Sequence, residues 1–143
     1  MKILITGSNG LLGQKLVQLI TQESNHQLIA TAKGKNRLPF EEGCIFENLD
    51  ITNKTQVDSI VEKYQPEVII NTAALTNVDQ CETEKEDCWK LNVTAVEYLI
   101  ETAARHNAFL LQLSTDFIFD VADGPYLEEA TANPISYYGE SKL

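Results

Sequence analysis

The stretch ITGSNGLLG, Ile5–Gly13, constrains the fold more than any other part of this chain. It follows a short β-branched apolar run, Lys2–Thr6, and opens an amphipathic pattern that continues to about Ile20. Three glycines, Gly7, Gly10 and Gly13, recur at every third position. The first permits a tight turn, the second lets a ligand approach the backbone, and the third lets a helix pack closely on a sheet. A helix starting there presents free N–H groups and the positive end of its dipole to a pyrophosphate. Glycines also serve ordinary turns. A triplet placed between a first strand and a first helix is the context that marks a dinucleotide site.

The rest of the chain repeats the strand–helix alternation. Gln27–Thr31 and Cys44–Asn48 read as the second and third strands, Val68–Asn71 as the fourth after Pro66, and Phe109–Ser114 as the fifth. Asn53 with Gln56 three positions on is a capping box for a helix ending near Tyr64. Glu82–His106 reads as one long helix with Leu91, Val96, Leu99, Ile100 and Ala103 near one face. Thr115–Ile135 reads as loop, and Ser136 as the cap of a last helix carrying Tyr138 and Lys142. The expectation is an α/β fold: a Rossmann-like doubly wound parallel sheet in the order 3-2-1-4-5, with one domain over residues 1–143. The sequence stops one residue after Lys142, inside the expected last helix. The domain is therefore expected to be an incomplete NAD(P)-binding unit, truncated before its last strands and a substrate-binding lobe.

Charge and composition narrow the partners. Twenty-one acidic residues against 11 basic ones leave a net charge of −10, which argues against nucleic acid and anionic membranes as partners. No apolar run approaches the ~20 residues of a membrane span, and the start MKILITG is too short for a signal peptide. Cys44, Cys81 and Cys88 form neither a disulfide framework nor a zinc pattern, so no metal site is expected. Cys81 and Cys88, seven apart, read as partly buried thiols on one helix face. The chain is expected in the cytoplasm.

Two groups of residues carry candidate chemistry. The end of the second strand, TAKGKNRL, has no acid to grip the 2′-hydroxyl of NAD but offers Lys33, Lys35 and Arg37. That favours NADP(H) and leaves NAD(H) open; a solvated basic loop is the structural alternative. Asp50, with Ile51 beside it, follows the third strand where such folds meet the adenine, or simply caps the next helix. Ala73 and Ala74 keep the end of the fourth strand free of bulk. Asn9, Leu11 and Leu12 complete the cofactor candidates in the turn. Tyr138 and Lys142 stand four apart, one helical turn, so a lysine charge would favour the phenolate of a tyrosine that otherwise titrates near pH 10. Such a tyrosine can give a proton to a carbonyl oxygen, while the lysine holds a nicotinamide ribose. LSTDFIFD, Leu113–Asp120, brings Thr115 to the sheet edge to meet the carbonyl and Asp116 to contact a sugar hydroxyl. Strand-ending turn chemistry is the plain reading of the same residues.

With TG before it, the Gly-x-x-Gly-x-x-Gly spacing resembles the extended short-chain dehydrogenase/reductases. Together with NTAALTNVDQCE, LNV, LSTDFIFD, GPYLEEA and YYGESKL, it resembles the dTDP-4-dehydrorhamnose reductase family over the amino-terminal half of such enzymes. The resemblance implies NAD(P)H-dependent reduction of a 4-keto nucleotide sugar in dTDP-L-rhamnose synthesis. It further implies Thr115, Tyr138 and Lys142 as catalytic residues, with Asp116 beside them. Gly7, Gly10, Gly13, Ala73, Ala74 and Asn92 fall where the family meets or supports the cofactor. A homodimer is compatible with it. Two departures stand out: Phe117 where the family usually has tyrosine, and Val121 where it commonly has glycine. Two other functions share the pattern, a nucleotide-sugar epimerase and a non-catalytic dinucleotide-binding regulatory subunit. Phe117 stands where dehydratases carry a carboxylate.

Overall fold

The computed structural model describes residues 1–23, 26–39, 42–120, 122 and 124–143. Five parallel strands form one sheet: β1 (Lys2–Thr6), β2 (Gln27–Ala32), β3 (Ile45–Asn48), β4 (Val68–Asn71) and β5 (Phe109–Gln112). Their order is β3-β2-β1-β4-β5, as the alternation predicts. The sheet is buried at its centre. Leu4, Ile5, Ile29 and Ala30 are fully enclosed, which is why β1 and β2 read as unbroken apolar runs. At the edge, β5 leaves Phe109 and Leu111 exposed.

Each sheet face has its own core. On one, Leu4, Ile29 and Ile69 meet α2 (Lys54–Tyr64) and α5 (Ala95–Arg105) through Val57, Val61, Leu99 and Ala103. On the other, Ile3, Ile5 and Leu28 meet α1 (Leu11–Glu23) through Val17. This two-sided cover is the doubly wound arrangement.

Several boundaries differ from expectation. The asparagine half of the capping box forms, with Asn53 accepting from Gln56 N at 3.2 Å. The reciprocal half does not, because the Gln56 side chain instead accepts from Asp50 N at 3.0 Å and closes the turn before the helix. The long helix expected over Glu82–His106 is broken. Helix α3 (Val78–Thr83) ends at Glu84, α4 (Lys85–Trp89) follows, and a π turn over Lys90–Thr94 leads into α5. The π turn shifts the register, so Ala95, Leu99, Thr102 and Ala103 are buried while Ile100 is 52% exposed. Cys81 and Cys88 consequently lie on different helices, both wholly buried beside Tyr138. Strand β5 stops at Gln112 rather than Ser114, and a 3-10 turn, Asp116–Ile118, interrupts the expected loop. Val121 lies outside the described residues. Among the described residues, no helix is long and apolar enough to cross a membrane.

Candidate active site

The carboxyl ends of β1 and β4 are tied together by buried polar groups. Thr6 Oγ1 donates to Asn71 Oδ1, and Asn71 Nδ2 donates to Gln112 Oε1 at 2.7 Å, linking three adjacent strands. Thr72 Oγ1 donates back to the Thr6 carbonyl at 2.6 Å. Buried groups must be paired, so this chain of bonds holds the sheet edge in one register and presents Thr72–Ala74 as a level floor.

Against that floor sits the glycine turn. Gly7 has φ +71°, and a Cβ on it would lie 2.6 Å from Ala73 N. Only glycine lets the turn and the floor touch. At Gly13 a Cβ would overlap the Gly7 carbonyl oxygen and lie 2.8 Å from Ser8 Cα. At Gly10 a Cβ would meet only Gly7 O, at 3.3 Å, with open space beyond. The three glycines therefore differ: two are required by the protein's own packing, and Gly10 faces outward.

Two adjoining cavities run along this edge and share Gly10, Thr72, Ala73 and Ala74. The larger, about 490 Å³, takes in Gly7, Lys33, Asp50, Ile51 and, beyond the sequence expectations, Asp87 and Lys90. The other, about 360 Å³, takes in Leu11, Leu12, Gly13, Leu113, Ser114, Tyr138 and Lys142. Gly10 lies at their junction. An elongated ligand with a phosphate bridge at its centre fits this shape, the bridge facing the bare backbone at Gly10 and the start of α1.

In the larger cavity Lys33 Nζ pairs with Asp50 Oδ2 at 2.8 Å. The Asp50 hydrogen bond holds the lysine above its ordinary pKa. Burial pushes Asp50 up, but bonds from Lys33 and Thr52 outweigh it and leave the carboxyl below its usual range. Asp50 is not a helix cap; its Oδ1 accepts from Thr52 N and Oγ1 at 3.0 and 2.7 Å, and Asn53 caps α2.

In the second cavity the last helix, α6 (Tyr137–Lys142), starts where Ser136 Oγ accepts from Gly139 N at 3.1 Å. Tyr138 is buried, its ring edge-on to Phe117 with centroids 5.6 Å apart. Lys142 Nζ donates to Leu113 O at 2.7 Å, and burial lowers its pKa.

Four candidates lie outside both linings. Asn9 bonds the loop after β2, donating to Lys35 O and accepting from Arg37 N, each at 2.9 Å. Asn92, in the π turn, accepts from Leu75 N at 2.8 Å and donates to Leu75 O at 3.0 Å and to Ser141 Oγ at 2.9 Å. It supports the floor from beneath. Thr115 caps the 3-10 turn and donates to Asp116 Oδ1 at 3.2 Å. Asp116 and Phe117 line a separate cavity of about 310 Å³ with Phe119 and Tyr126.

Residues that the sequence reading passed over also build the site. A Cβ on Gly139 would overlap Phe117 O and approach Pro134 Cβ to 2.9 Å, so this glycine lets α6 lie directly on the Thr115–Phe117 segment. Ser141 Oγ joins Asn92 to Tyr138 O, to which it donates at 2.8 Å. Their only sequence signal is position inside YYGESK.

The family whose description is "RmlD substrate binding domain" matches residues 1–143, the whole chain. The chain belongs to that family. It is 42% identical to dTDP-4-dehydrorhamnose reductase from Aggregatibacter actinomycetemcomitans, covering 99% of this chain and 44% of that protein. It is 34% identical to methionine adenosyltransferase 2 subunit beta from Xenopus tropicalis, covering 99% and 40%. A crystal structure described as a hypothetical dTDP-4-dehydrorhamnose reductase from Sulfolobus tokodaii superposes with a TM-score of 0.88 at 38% identity, over 99% of this chain and 49% of that one. The chain thus spans less than half the length of the curated relatives it matches.

Proposed function

We propose that this chain forms the dinucleotide-binding and proton-donating part of an NAD(P)H-dependent reductase of a 4-keto nucleotide sugar, similar to dTDP-4-dehydrorhamnose reductase. The observation that carries the reading is the shared lining of one cavity by the glycine turn, the Ala73–Ala74 floor, Tyr138 and Lys142. Gly10 and the amino end of α1 would take the pyrophosphate. Asp50, Ile51 and Lys33 would take the adenosine end, with NADP(H) favoured over NAD(H) because the β2 terminus carries lysine rather than an acid. A bound reduced nicotinamide would supply hydride to the carbonyl carbon. Tyr138 gives its hydroxyl proton to the carbonyl oxygen. Lys142, charged and half buried, favours the resulting phenolate and holds the ribose. Asp116 meets the sugar from the neighbouring cavity, with Thr115 beside it in the chain, and the exposed ring of Phe117 takes the place of a hydroxyl-bearing contact.

Consumption of NADPH with dTDP-4-keto-6-deoxy-L-lyxo-hexulose by the protein bearing this chain tests the reading. Tyr138→Phe should lower turnover by ~10²–10⁴-fold and leave cofactor affinity nearly unchanged. Wild-type turnover in that variant would end the assignment. The likeness to methionine adenosyltransferase 2 subunit beta motivates a second reading, a regulatory subunit. Tight dinucleotide binding without turnover would favour it. An epimerase would hold its dinucleotide and show no net oxidation.

A further inference from the structure

The Asn9 side chain is committed to a loop 26 and 28 residues away rather than to the cavity. That loop carries Lys33, Lys35 and Arg37, three cations within five residues of a chain whose net charge is −10. All three are exposed. The loop is fastened at two places. Gly34 N donates to Asn48 Oδ1 at 2.7 Å, fixing its start to β3. The Asn9 amide grips its tip from both sides, donating to Lys35 O and accepting from Arg37 N. Among the described residues, Lys33 is held by Asp50, and no ion pair engages Lys35 or Arg37. Asn9 itself lies between Gly7 and Gly10, so the phosphate turn and the basic loop share one fastening.

Resting on the dinucleotide reading above, we infer that Asn9 is a positioning residue for cofactor selectivity. By pinning the backbone at Lys35 and Arg37 against the phosphate turn, it holds a cationic rim at the adenosine end and favours a dinucleotide with a 2′-phosphate. Exposed cations on a free loop spread over many positions and are screened by salt. Cations whose backbone is held keep their charge beside the ligand with less ordering left to do on binding. Asn9 therefore acts on the extra phosphate through the loop and touches neither nucleotide.

Isothermal titration of the protein bearing this chain with NADPH and with NADH tests this. Wild type should bind NADPH more tightly. Asn9→Ala should lower NADPH affinity roughly tenfold and NADH affinity less than about threefold, since one charge-assisted phosphate contact is worth about that much. A structural role alone would weaken both equally, and equal loss, or no loss, overturns the inference. Should Asn9→Ala fail to fold, the double variant Lys35→Gln/Arg37→Gln keeps every backbone contact to Asn9 and removes the charges. It should show the same selective loss, and an unchanged NADPH-to-NADH ratio overturns the proposal. Equal wild-type affinity for the two nucleotides also overturns it while leaving the dinucleotide reading standing. Binding of neither removes both.

Discussion

Gly10 and Gly13 stand three residues apart in one turn, yet their substitution should have opposite consequences. A side chain at Gly10 points into the shared cavity, where only Gly7 O is close. Gly10→Val should therefore keep the fold and abolish dinucleotide binding. Gly13→Ala should unfold the chain more readily, by about 1–3 kcal/mol, because its methyl group cannot be accommodated without moving the turn. Urea titration together with NADPH titration separates the two. A Gly10→Val protein that binds normally, or a Gly13→Ala protein of unchanged stability, would contradict the assignment. The motif assigned Gly10 to ligand approach and Gly13 to helix packing, while the family resemblance placed both at cofactor positions. The packing around each decides which one serves the ligand and which one serves the fold.

Among the elements, the break between α4 and α5 matters most to the site. The π turn at Lys90–Thr94 rotates Asn92 inward, where its amide satisfies both polar groups of Leu75 and the hydroxyl of Ser141. One side chain thus joins the floor behind Ala74 to the helix that carries Tyr138 and Lys142. Asn92→Ala would leave the partly buried Leu75 N–H without its acceptor and remove the Asn92 side-chain bonds to Leu75, Ser141 and Cys88, costing about 2–4 kcal/mol by the usual worth of such groups. A denaturant midpoint within error of wild type would refute the clamp. Asn92→Asp should not recover the loss: it keeps the acceptor for Leu75 N but sets a buried carboxylate oxygen against the Leu75 carbonyl. A regular 3.6-residue period gave no sign of this break and placed Ile100 inside, since periodicity counts residues and registers no inserted one.

At the scale of the molecule, the long connection from β5 to α6 is held by Asp120. Its carboxylate accepts from Tyr126 Oη at 2.5 Å, Asn133 Nδ2 at 2.9 Å and Ala122 N at 3.1 Å. These bonds lower its pKa to about 2. The folded value is depressed, so the stabilisation is fully present above the ordinary carboxylate value of about 4 and is lost as pH falls through about 2. Asp58 and Glu47 are lowered as well, by the Thr102 hydroxyl with Arg105 and by Lys63 with Tyr64 respectively, and act in the same direction. The melting temperature should fall between pH 4 and pH 2, and Asp120→Asn should fall less steeply over that window. Parallel curves would show that Asp120 contributes nothing to acid stability.

The strand order, the two-sided helical cover and the glycine turn were determined by the sequence itself. They rest on local signals: unbroken apolar runs for central strands, capping asparagine and serine at helix starts, and glycine where no Cβ can fit. That Tyr138 and Lys142 line one cavity was equally readable, because one helical turn brings them to the same face. The tertiary structure alone decided which candidates share a cavity. Asn9 and Asn92 look equivalent to their neighbours in the chain, but each spends its side-chain amide on residues far along the sequence. Their partners lie as far as 49 positions away in the sequence, and no spacing rule reaches across that distance. A hydrogen bond of this kind exists only once the sheet has set which ends of which elements meet.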